Sequence, residues 1–403
     1  MLSYDQALDV VLSRVRPLGD ECRSLPDALG QVLAEDVTAA WDMPATDNSA
    51  MDGYAFQRAA YQDGGILPVL GSIRAGDAPV RGETGGAMRI MTGAPIPSGC
   101  DCVVPKEDVV EEENGIRLLK VGGVGANIRC RGEEFRRGEV LLKAGDVLRA
   151  GEIGLLAANG RAQVRVYRRP KVALLTTGDE LVDLGTEPGP GQIVDSNHSL
   201  LSARLREEGC DVLSLGRAAD ETADLKGLLL RGLDADLLLT SGGVSVGDYD
   251  LVRESLDALG FASGFWKVAI KPGKPVLFGM VGEKPVFGLP GNPAASAVTF
   301  QLFVRPALRR LGGFSNPLEP RCRAILTERT RPTGNRQTFF WGRLYCAQGC
   351  YRFTPSHAQG AGQNRSIKAA NALLSVAADS PALDAGQEVE VMVIYPPEME
   401  TVV

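Results

Sequence analysis

Residues 237–256, LLLTSGGVSVGDYDLVRESL, place the strongest limit on how this chain can fold. They begin with an apolar run typical of a buried parallel strand and end with apolar residues at helical spacing. Between the two lies the glycine-rich turn Ser241-Gly242-Gly243, followed by Gly247 and Asp248. Strand, turn and helix in this order present a ligand site at the carboxyl edge of a sheet, where glycines let backbone N–H groups approach an anion. A tight connection without any ligand fits the same pattern.

A strand–turn–helix rhythm continues on both sides of this stretch. KVALLTTGDEL (171–181) predicts a buried strand, and SNHSLLSARLREEG (196–209) predicts a helix with Ser or Asn available as its cap. Residues 211–220 predict a further strand, and residues 286–313 predict a strand, a turn and a long helix. Such alternation is typical of a doubly wound parallel α/β domain, which we place at residues 169–315.

The segments before and after this domain have different patterns. Residues 1 to about 40 have helical periodicity, and residues from about 41 to 146 are rich in glycine and proline with short apolar pieces. We therefore predict an N-terminal helical region, residues 1–168, that carries a β-rich inserted lobe. Period-two alternation after residue 320 predicts a small barrel or sandwich, and we take a small β-barrel over residues 320–403.

Composition and charge argue against several kinds of partner. The chain has 403 residues, of which 44% are hydrophobic and 23% charged, as in ordinary multidomain globular proteins. A net charge of −7 without a block of Lys or Arg argues against nucleic acid. No apolar run has the length of a membrane span, and the N-terminus resembles an amphipathic helix more than an export signal. We therefore predict a cytoplasmic protein with no membrane partner.

The cysteines and histidines bear on which metal the chain could hold. The eight cysteines are scattered without a CxxC pair, and only His198 and His357 could add nitrogen ligands. This argues against a structural zinc site or a disulfide framework. Any metal is expected to be a hard cation held by carboxylates and phosphate oxygens, and Mg²⁺ fits best.

Four acids of the α/β domain follow predicted strands, at or just beyond their carboxyl ends: Asp179, Glu180, Asp220 and Asp248. Because parallel strands end at one edge of a sheet, we expect these side chains to lie near one another. There they could hold Mg²⁺ or position water. Each could instead cap a following helix, although their common edge favours the functional interpretation.

Two stiff segments predict anion binding in the same domain. FWKVAIKPGKP (265–275) holds Lys267, Lys271 and Lys274 between proline and glycine residues, and cations held this close are tolerable when an anion lies between them. A solvated surface loop is the alternative. GLPGNP (288–293) forms a turn before a helix whose backbone donors could cradle an oxyanion, or a stiff turn with no ligand.

Two polar segments lie outside the α/β domain. DNSAMDGYA (47–55) by itself predicts only a loop. RCRGEEFRRG (129–138) is typical of a solvated charged hairpin, unless it faces the edge of the α/β sheet.

Six motifs in the order DNSAMDGYA, RIMTGAP, TTGDEL, TSGGVSVGDYD, AIKPGKP and GLPGNP resemble the molybdopterin molybdenumtransferase family. This is the MoeA-like family, which includes the gephyrin E domain, and the resemblance spans nearly the whole chain. It implies an elongated four-part subunit and a homodimer. It also implies insertion of molybdate into adenylylated molybdopterin, with Mg²⁺-dependent release of AMP, to give molybdenum cofactor.

Motif matching assigns the family's functional positions residue by residue. The resemblance implies that Lys271 and Lys274 face molybdate, and that Asp220 and Asp248 hold Mg²⁺. The implied catalytic positions are Asp52, Thr92, Glu180, Asp220 and Asp248. The implied substrate-binding positions are Ser241, Gly242, Gly243, Lys271, Lys274, Pro290, Gly291, Asn292, Arg336 and Ser366.

Four positions depart from the family pattern. Glu134 stands where Asp is common, and Ala295 and Ala361 stand where residues with hydroxyl groups are common. Trp341 stands where an Arg is common, with Arg336 nearby. These changes affect the implied coordination of molybdate and leave the nucleotide-cleaving half intact.

Two other functions fit parts of the chain. A molybdopterin adenylyltransferase-like nucleotide enzyme would need only the α/β domain, and the lobe and barrel argue against it. A gephyrin-like scaffold would carry an extra linker and a fused domain, for which this sequence gives no signal. The resemblance further places Asp52 and Thr92 at the active site. Because the lobe of an elongated subunit reaches a symmetry mate more easily than its own sheet edge, we predict that both face the 242–248 loop of the partner subunit in the homodimer. The resemblance also makes a molybdopterin adenylyltransferase a candidate partner.

Overall fold

The computed structural model describes residues 1–82, 85–218, 222–243, 251–332, 334–357 and 359–399. Asp220 and Asp248, both predicted as catalytic residues and metal ligands, lie outside the described residues. The described chain forms an N-terminal region with an inserted β-rich lobe, a central α/β domain and a C-terminal β-barrel. The predicted fold class is therefore confirmed, whereas the predicted domain bounds stay predictions.

The N-terminal region is less helical than its periodicity predicted. Helix α1 (Tyr4–Arg14) begins at a capping box in which Ser3 and Gln6 satisfy each other's backbone N–H groups. The helix ends at Arg14, because Pro17 follows too soon for it to continue and the chain then extends into β1. The buried side of α1 packs into the core of the α/β domain.

The remaining elements of this region are short strands and one further α-helix. In chain order they are β1 (Asp20–Ser24), β2 (Val37–Thr38), β3 (Asn48–Ser49), β4 (Gly53–Phe56), β5 (Ile66–Leu67), β6 (Val69–Ile73), β7 (Ala87–Ile90), β8 (Cys102–Pro105), β9 (Val109–Glu112), β10 (Gly115–Leu118), β11 (Ile128–Arg129), β12 (Val140–Leu142), α2 (Ala150–Ala158) and β13 (Gln163–Tyr167).

The inserted lobe contains two main sheets and two apolar cores, one formed by residues of both sheets and one by residues of the four-stranded sheet. Strands β6, β7, β4 and β8 form one sheet, and β5, β10 and β9 form the other. Phe56 lies in one core, and Ile73 and Ile90 lie in the second. At the base of the lobe β2 pairs with β12, and β1 pairs with β13. The segments before and after the lobe therefore pair with each other, and the lobe is inserted between them.

The α/β domain contains the predicted alternation of strands and helices. Its elements are β14 (Lys171–Thr177), β15 (Leu181–Val182), β16 (Ile193–Val194), α3 (Ser196–Glu207), β17 (Asp211–Ala218), α4 (Thr222–Gly232), β18 (Leu237–Ser241), α5 (Leu251–Asp257), β19 (Phe261–Trp266), β20 (Ile270–Lys271), β21 (Leu277–Val281), β22 (Lys284–Leu289), α6 (Pro293–Thr299) and α7 (Arg305–Leu311). A π-helical turn, Phe300–Val304, joins α6 to α7.

The main sheet has the strand order β17-β14-β18-β22-β21-β19. The first four strands are parallel, and β21 and β19 add an antiparallel edge. Alternate residues of β14 face opposite cores: Leu174 packs on the side of α1, α3, α6 and α7, and Leu175 on the side of α4 and α5. The sheet is thus covered on both faces, and the loops after β14, β18 and β22 meet at one edge.

The C-terminal domain is a closed barrel, as predicted. Its strands are β23 (Arg321–Leu326), β24 (Gln337–Ala347), β25 (Cys350–Pro355), β26 (Ala372–Val376), β27 (Glu388–Val393) and β28 (Glu398–Met399). Pairing runs β24-β25-β23-β27-β26 and returns from β26 to β24, which closes the ring. Strand β20 of the α/β domain pairs with β24 and so joins the two domains. In the described part of the chain, no helix has both the length and the apolar character needed to cross a bilayer.

Candidate active site

A cavity of about 740 Å³, called here the sheet-edge cavity, opens where β14, β18 and β22 end. Seven of the predicted site residues line it: Glu180, Ser241, Gly242, Gly243, Pro290, Gly291 and Asn292. Other lining residues that the sequence did not single out include Thr176, Thr177, Asp195, Ser196, Asn197 and Asn364. Asp179 is exposed and is not among the lining residues.

The turn after β18 requires glycine at two positions. Gly242 has a φ of +91° and Gly243 a φ of +67°, values that other residues rarely adopt. A Cβ on Gly242 would overlap the Thr177 carbonyl oxygen, and one on Gly243 would lie 2.5 Å from Cγ2 of Val252. The Gly242 N–H donates to the Leu289 carbonyl at 3.1 Å. The turn is therefore pressed against the end of β14 and fixed to the end of β22.

Asn197 ties helix α3 to this turn, and sequence reasoning missed it as a site residue. Its Nδ2 donates to the Ser241 hydroxyl at 2.9 Å and to the Gly291 carbonyl at 2.8 Å. Asn197 thereby fixes the distance between the two glycine-containing turns of the cavity. The polar run 195–197, between a predicted strand and a predicted helix, is the sequence signal that could have indicated Asn197. In such a run one residue caps the helix, here Asp195, and another can face the site.

The cap of α3 is Asp195, not the Ser or Asn that the sequence suggested. The Asp195 carboxylate accepts from the His198 N–H at 3.0 Å and from the Thr176 hydroxyl at 2.5 Å. The prediction failed because three capping residue types follow one another, and the helix uses the first. Glu180 extends from the end of β14, and a Cβ at Gly178 would lie 2.5 Å from its Oε2.

A second cavity of about 450 Å³, called here the cationic cavity, lies between the α/β domain and the barrel. Pro275, Pro290 and Asn292 line both cavities, so the two adjoin. No acid is present among the described residues that line the cationic cavity. Four cations line it: Lys271, Lys274, Arg331 and Arg336. Like charges gathered in one cavity attract a multiply charged anion.

The lysine segment is attached to the barrel on one side. Ile270 and Lys271 pair with Gln337 and Thr338 of β24, and the Arg336 guanidinium donates to the Ile270 carbonyl at 3.1 Å. The sequence grouped Lys267 with the other two lysines, but its ammonium lies 3.7 Å from the centroid of the Trp266 ring and lines neither cavity. Only Lys271 and Lys274 of the three therefore belong to the cationic cavity.

The first turn of α6 does not offer the open backbone donors that the sequence predicted. Pro293 has no N–H, and the N–H groups of Ala294 and Ala295 both donate to the Ala361 carbonyl of the barrel, at 2.9 and 3.3 Å. Of the two interpretations that the sequence left open, this pairing agrees with a stiff turn at these two N–H groups, because a distant segment caps the helix, which no local pattern reveals. Side chains, rather than this helix terminus, supply positive charge to the cationic cavity.

Ser366 lies behind the cavities rather than in them. It is 1% exposed, its hydroxyl donates to the Gln363 carbonyl at 2.7 Å, and its own carbonyl accepts from the Ser356 hydroxyl at 2.8 Å. These bonds shape the barrel segment 359–366, whose Gln359 and Ala361 line the cationic cavity. The segment also reaches α3, where the Asn364 amide donates to the Ser196 hydroxyl at 3.2 Å.

Asp52 and Thr92 lie together in the inserted lobe and line neither cavity of their own chain. The Thr92 N–H and hydroxyl donate to the same Asp52 oxygen, at 2.7 and 2.8 Å. The backbone and side-chain hydrogen bonds from Thr92 hold the pKa of the Asp52 carboxyl below its usual value. Asp52 is thus a carboxylate on an exposed surface.

The positions that depart from the family pattern fall in different places. Ala295 and Ala361 line the cationic cavity, so neither supplies a hydroxyl group there. Trp341 is 2% exposed and belongs to the apolar core that the barrel shares with the α/β domain, and its indole N–H has no partner among the described residues. Glu134 is exposed on the charged hairpin, which lines neither cavity.

The two cavities differ in charge. Glu180 and Asp195 line the sheet-edge cavity, and no Lys or Arg does so in the described part of the chain. The described residues contain no group of three or more His, Cys, Asp or Glu side chains arranged to hold a metal ion.

Fold and site together define a class of protein, a multidomain α/β protein whose sheet-edge ligand cavity adjoins a cationic cavity beneath a barrel. Three family models match successive parts of the chain. They are the MoeA N-terminal region (domain I and II) at residues 2–160, the probable molybdopterin binding domain at 173–310, and the MoeA C-terminal region (domain IV) at 323–394.

Individual relatives agree with these models. The molybdopterin molybdenumtransferase of Haemophilus influenzae is 39% identical over 353 residues, which cover 86% of each chain. That of a Nostoc species is 39% identical over 347 residues, covering 83% of this chain and 80% of its own. The solved structure of a molybdopterin biosynthesis MoeA protein from Pyrococcus horikoshii has a TM-score of 0.84 and 30% identity, covering 98% of this chain and all of that one.

This chain belongs to the molybdopterin molybdenumtransferase family. It is therefore an enzyme, a transferase of molybdenum cofactor biosynthesis. Neither the adenylyltransferase-like function nor the scaffold function is favoured.

Proposed function

We propose that this enzyme inserts molybdate into adenylylated molybdopterin and releases AMP, giving molybdenum cofactor. One observation carries the proposal: a cationic cavity suited to an oxyanion adjoins a polar cavity large enough for an organic ligand. The shared residues Pro275, Pro290 and Asn292 would bring the two ligands into contact. Holding two reactants in adjacent positions is a large part of catalysis of such a transfer.

The residues of the cationic cavity would bind and orient molybdate. Lys271, Lys274 and Arg336 would neutralise its charge, and Pro272 between the lysines limits the freedom of the segment. Phe339 and Phe340 form an apolar wall that lowers the local dielectric and strengthens these interactions.

The sheet-edge cavity would hold the pterin and its nucleotide. Ser241, Gly242 and Gly243 form one side, and Gly291 and Asn292 form the other. The rigid bridge that Asn197 makes between these sides keeps the cavity open at a fixed width. The phosphoanhydride would then lie where the two cavities join, facing the molybdate.

We also propose that Mg²⁺ is bound at the sheet edge. Support comes from the charges of the cavity, which is lined by two carboxylates and by no described cation although its proposed ligand is anionic. In chain order, Glu180, Asp220 and Asp248 follow β14, β17 and β18, three neighbouring strands of the sheet, and these carboxylates would hold the ion. When bound, Mg²⁺ would neutralise charge that develops on the phosphate oxygens.

We further propose a homodimer whose sites combine residues of both subunits. Support comes from Asp52 and Thr92, which family motifs match but which line neither cavity of their own chain. A two-fold axis would let the lobe of one subunit complete the sheet-edge cavity of the other, building two identical sites. A molybdopterin adenylyltransferase is a proposed partner. A cytoplasmic location is proposed as well, and the eight free cysteines support it.

The function is tested by following AMP release from adenylylated molybdopterin with Mg²⁺, in the presence and absence of molybdate. Release that depends on molybdate supports the proposal, and release at the same rate without it contradicts the transfer.

The shared site is tested by mixing two inactive chains, Asp52→Ala and Asp248→Ala, under conditions of confirmed subunit exchange. Each mixed dimer should regain one good site. If exchange occurs and no activity returns, the site does not combine residues of two subunits.

A further inference from the structure

Three asparagines are buried among the described residues, and they differ in how their amide groups are satisfied. In Asn159 and Asn371, Oδ1 accepts from a backbone N–H and Nδ2 donates to a backbone carbonyl. In Asn197, Nδ2 donates to Ser241 and Gly291, while Oδ1 has no partner among the described residues. Of the three, Asn197 is the one that lines the sheet-edge cavity. Among the described residues, Oδ1 of Asn48 in the inserted lobe is also buried without a partner, but of these two residues Asn197 is the one that lines the sheet-edge cavity.

The orientation of the Asn197 amide is fixed by its partners. Gly291 offers a carbonyl oxygen, which can only accept, so the amide atom 2.8 Å from it must be the nitrogen. The Ser241 hydroxyl accepts from Nδ2 and donates to the Pro290 carbonyl at 3.4 Å, which agrees with this orientation. Oδ1 is therefore the unpaired end. A buried acceptor without a partner is costly, and a ligand that donates to it removes that cost.

An unpaired carbonyl oxygen selects the chemistry of the group that meets it. Phosphate and molybdate oxygens are themselves acceptors, and no described Lys or Arg lines this cavity to offset the repulsion. An uncharged N–H or O–H group is the complement. Adenylylated molybdopterin carries such donors on its pterin ring and on its nucleoside, whereas molybdate at neutral pH has none.

We propose that Asn197 is a specificity-determining residue whose Oδ1 accepts a hydrogen bond from an uncharged N–H or O–H donor of the organic substrate. The inference rests on the proposed function, because the donor belongs to adenylylated molybdopterin. The inference also gives the orientation of the bound organic substrate. Its neutral donor would lie at Asn197, and its phosphates would lie toward Pro290 and Asn292, where the cationic cavity begins.

The first test measures binding of three probes, AMP, molybdopterin and molybdate, to the wild-type enzyme and to Asn197→Ala. We expect the variant to lose about tenfold in affinity for the probe that carries the donor. The other organic probe should share only the smaller weakening that follows from losing the bridge between Ser241 and Gly291, and the affinity for molybdate should stay within about twofold of the wild-type value. The probe that weakens most identifies the donor as part of the nucleoside or of the pterin.

The second test leaves the protein intact and removes the donor from the ligand. The nucleoside probes are AMP, 2′-deoxy-AMP and inosine monophosphate, and the pterin probes are molybdopterin and a derivative without its amino group. One analogue should bind the wild-type enzyme about tenfold more weakly than its parent, and this difference should vanish in Asn197→Ala. Asn159→Ala is the matched control, because it removes a buried amide whose oxygen and nitrogen both have partners and which does not line the cavity. The difference in affinity between the parent ligand and its analogue should therefore persist in this variant.

Three outcomes would overturn the inference. Equal weakening of the two organic probes by Asn197→Ala would make the residue purely structural. Unchanged binding of every probe and analogue would mean that water, not substrate, satisfies Oδ1. If the wild-type enzyme binds neither AMP nor molybdopterin, the proposed function fails first, and the role of Asn197 falls with it.

Discussion

Gly242→Ala should damage the site more than its single methyl group suggests. At a φ of +91° an alanine costs about 1–2 kcal/mol relative to glycine. The new Cβ would overlap the Thr177 carbonyl oxygen and lie 3.0 Å from Thr177 Oγ1, an overpacking worth about 1–3 kcal/mol. Because the carbonyl belongs to β14, which is hydrogen-bonded to a strand on each side, the turn must move instead. We expect the free energy of unfolding to fall by about 2–5 kcal/mol, summing these two terms.

Binding should report the same movement. AMP affinity, measured by calorimetry, should fall by at least about tenfold in Gly242→Ala, since the turn forms one wall of the sheet-edge cavity. The matched control is Gly227→Ala in helix α4, where an added Cβ meets no atom within 4 Å. That variant should be more stable by about 0.5–1 kcal/mol and should bind AMP normally. Wild-type stability and affinity in Gly242→Ala would refute the steric argument.

Three further predictions concern charge. Replacing Lys271 or Lys274 by Ala should raise the molybdate concentration for half-maximal AMP release by about tenfold, while the affinity for AMP stays nearly unchanged. Equal losses of affinity for molybdate and for AMP would mean that the segment attracts anions in general and does not bind molybdate specifically. Asp248→Asn should leave folding intact and lower the rate of AMP release by at least about tenfold, which corresponds to roughly 1.4 kcal/mol in the activation barrier. Wild-type turnover of this variant at saturating Mg²⁺ would contradict a role of Asp248 in binding the ion. Thr92→Val removes one of the two hydrogen bonds to Asp52 and should therefore raise the pKa of that carboxyl group, which an NMR titration measures. Because the pKa of Asp52 is lower in the folded protein than in the unfolded chain, the ionised carboxylate stabilises the fold at neutral pH. This stabilisation is lost as the pH falls through the pKa of Asp52 in the folded protein.

The α/β domain and the barrel could be predicted because their patterns are local. The apolar run of β14 and the alternation of β27 follow from the faces that each strand buries. Glycines at 242 and 243 were predicted as a close turn, and their positive φ values agree. The extent of α1 was not predictable from periodicity alone, because the segment after Arg14 finds its partner in β13, more than a hundred residues away.

The parts of the site that sequence missed depend on contacts between distant segments. The pairing of β20 with β24 places Arg336 beside the lysine segment, and only the motif resemblance had suggested that. The capping of α6 by Ala361 joins two domains. Asn197 gains its role by bridging two turns that lie 44 and 94 residues further along the chain. Spacing within one segment carries no signal of such contacts.

The central claim is that the oxyanion and the nucleotide occupy adjoining but different cavities. The most direct measurement is anomalous diffraction at the molybdenum edge from crystals soaked with molybdate and AMP. We predict a molybdenum peak among Lys271, Lys274 and Arg336, with AMP in the sheet-edge cavity beside Asn197. A molybdenum peak in the sheet-edge cavity, or AMP bound among the lysines, would contradict the account.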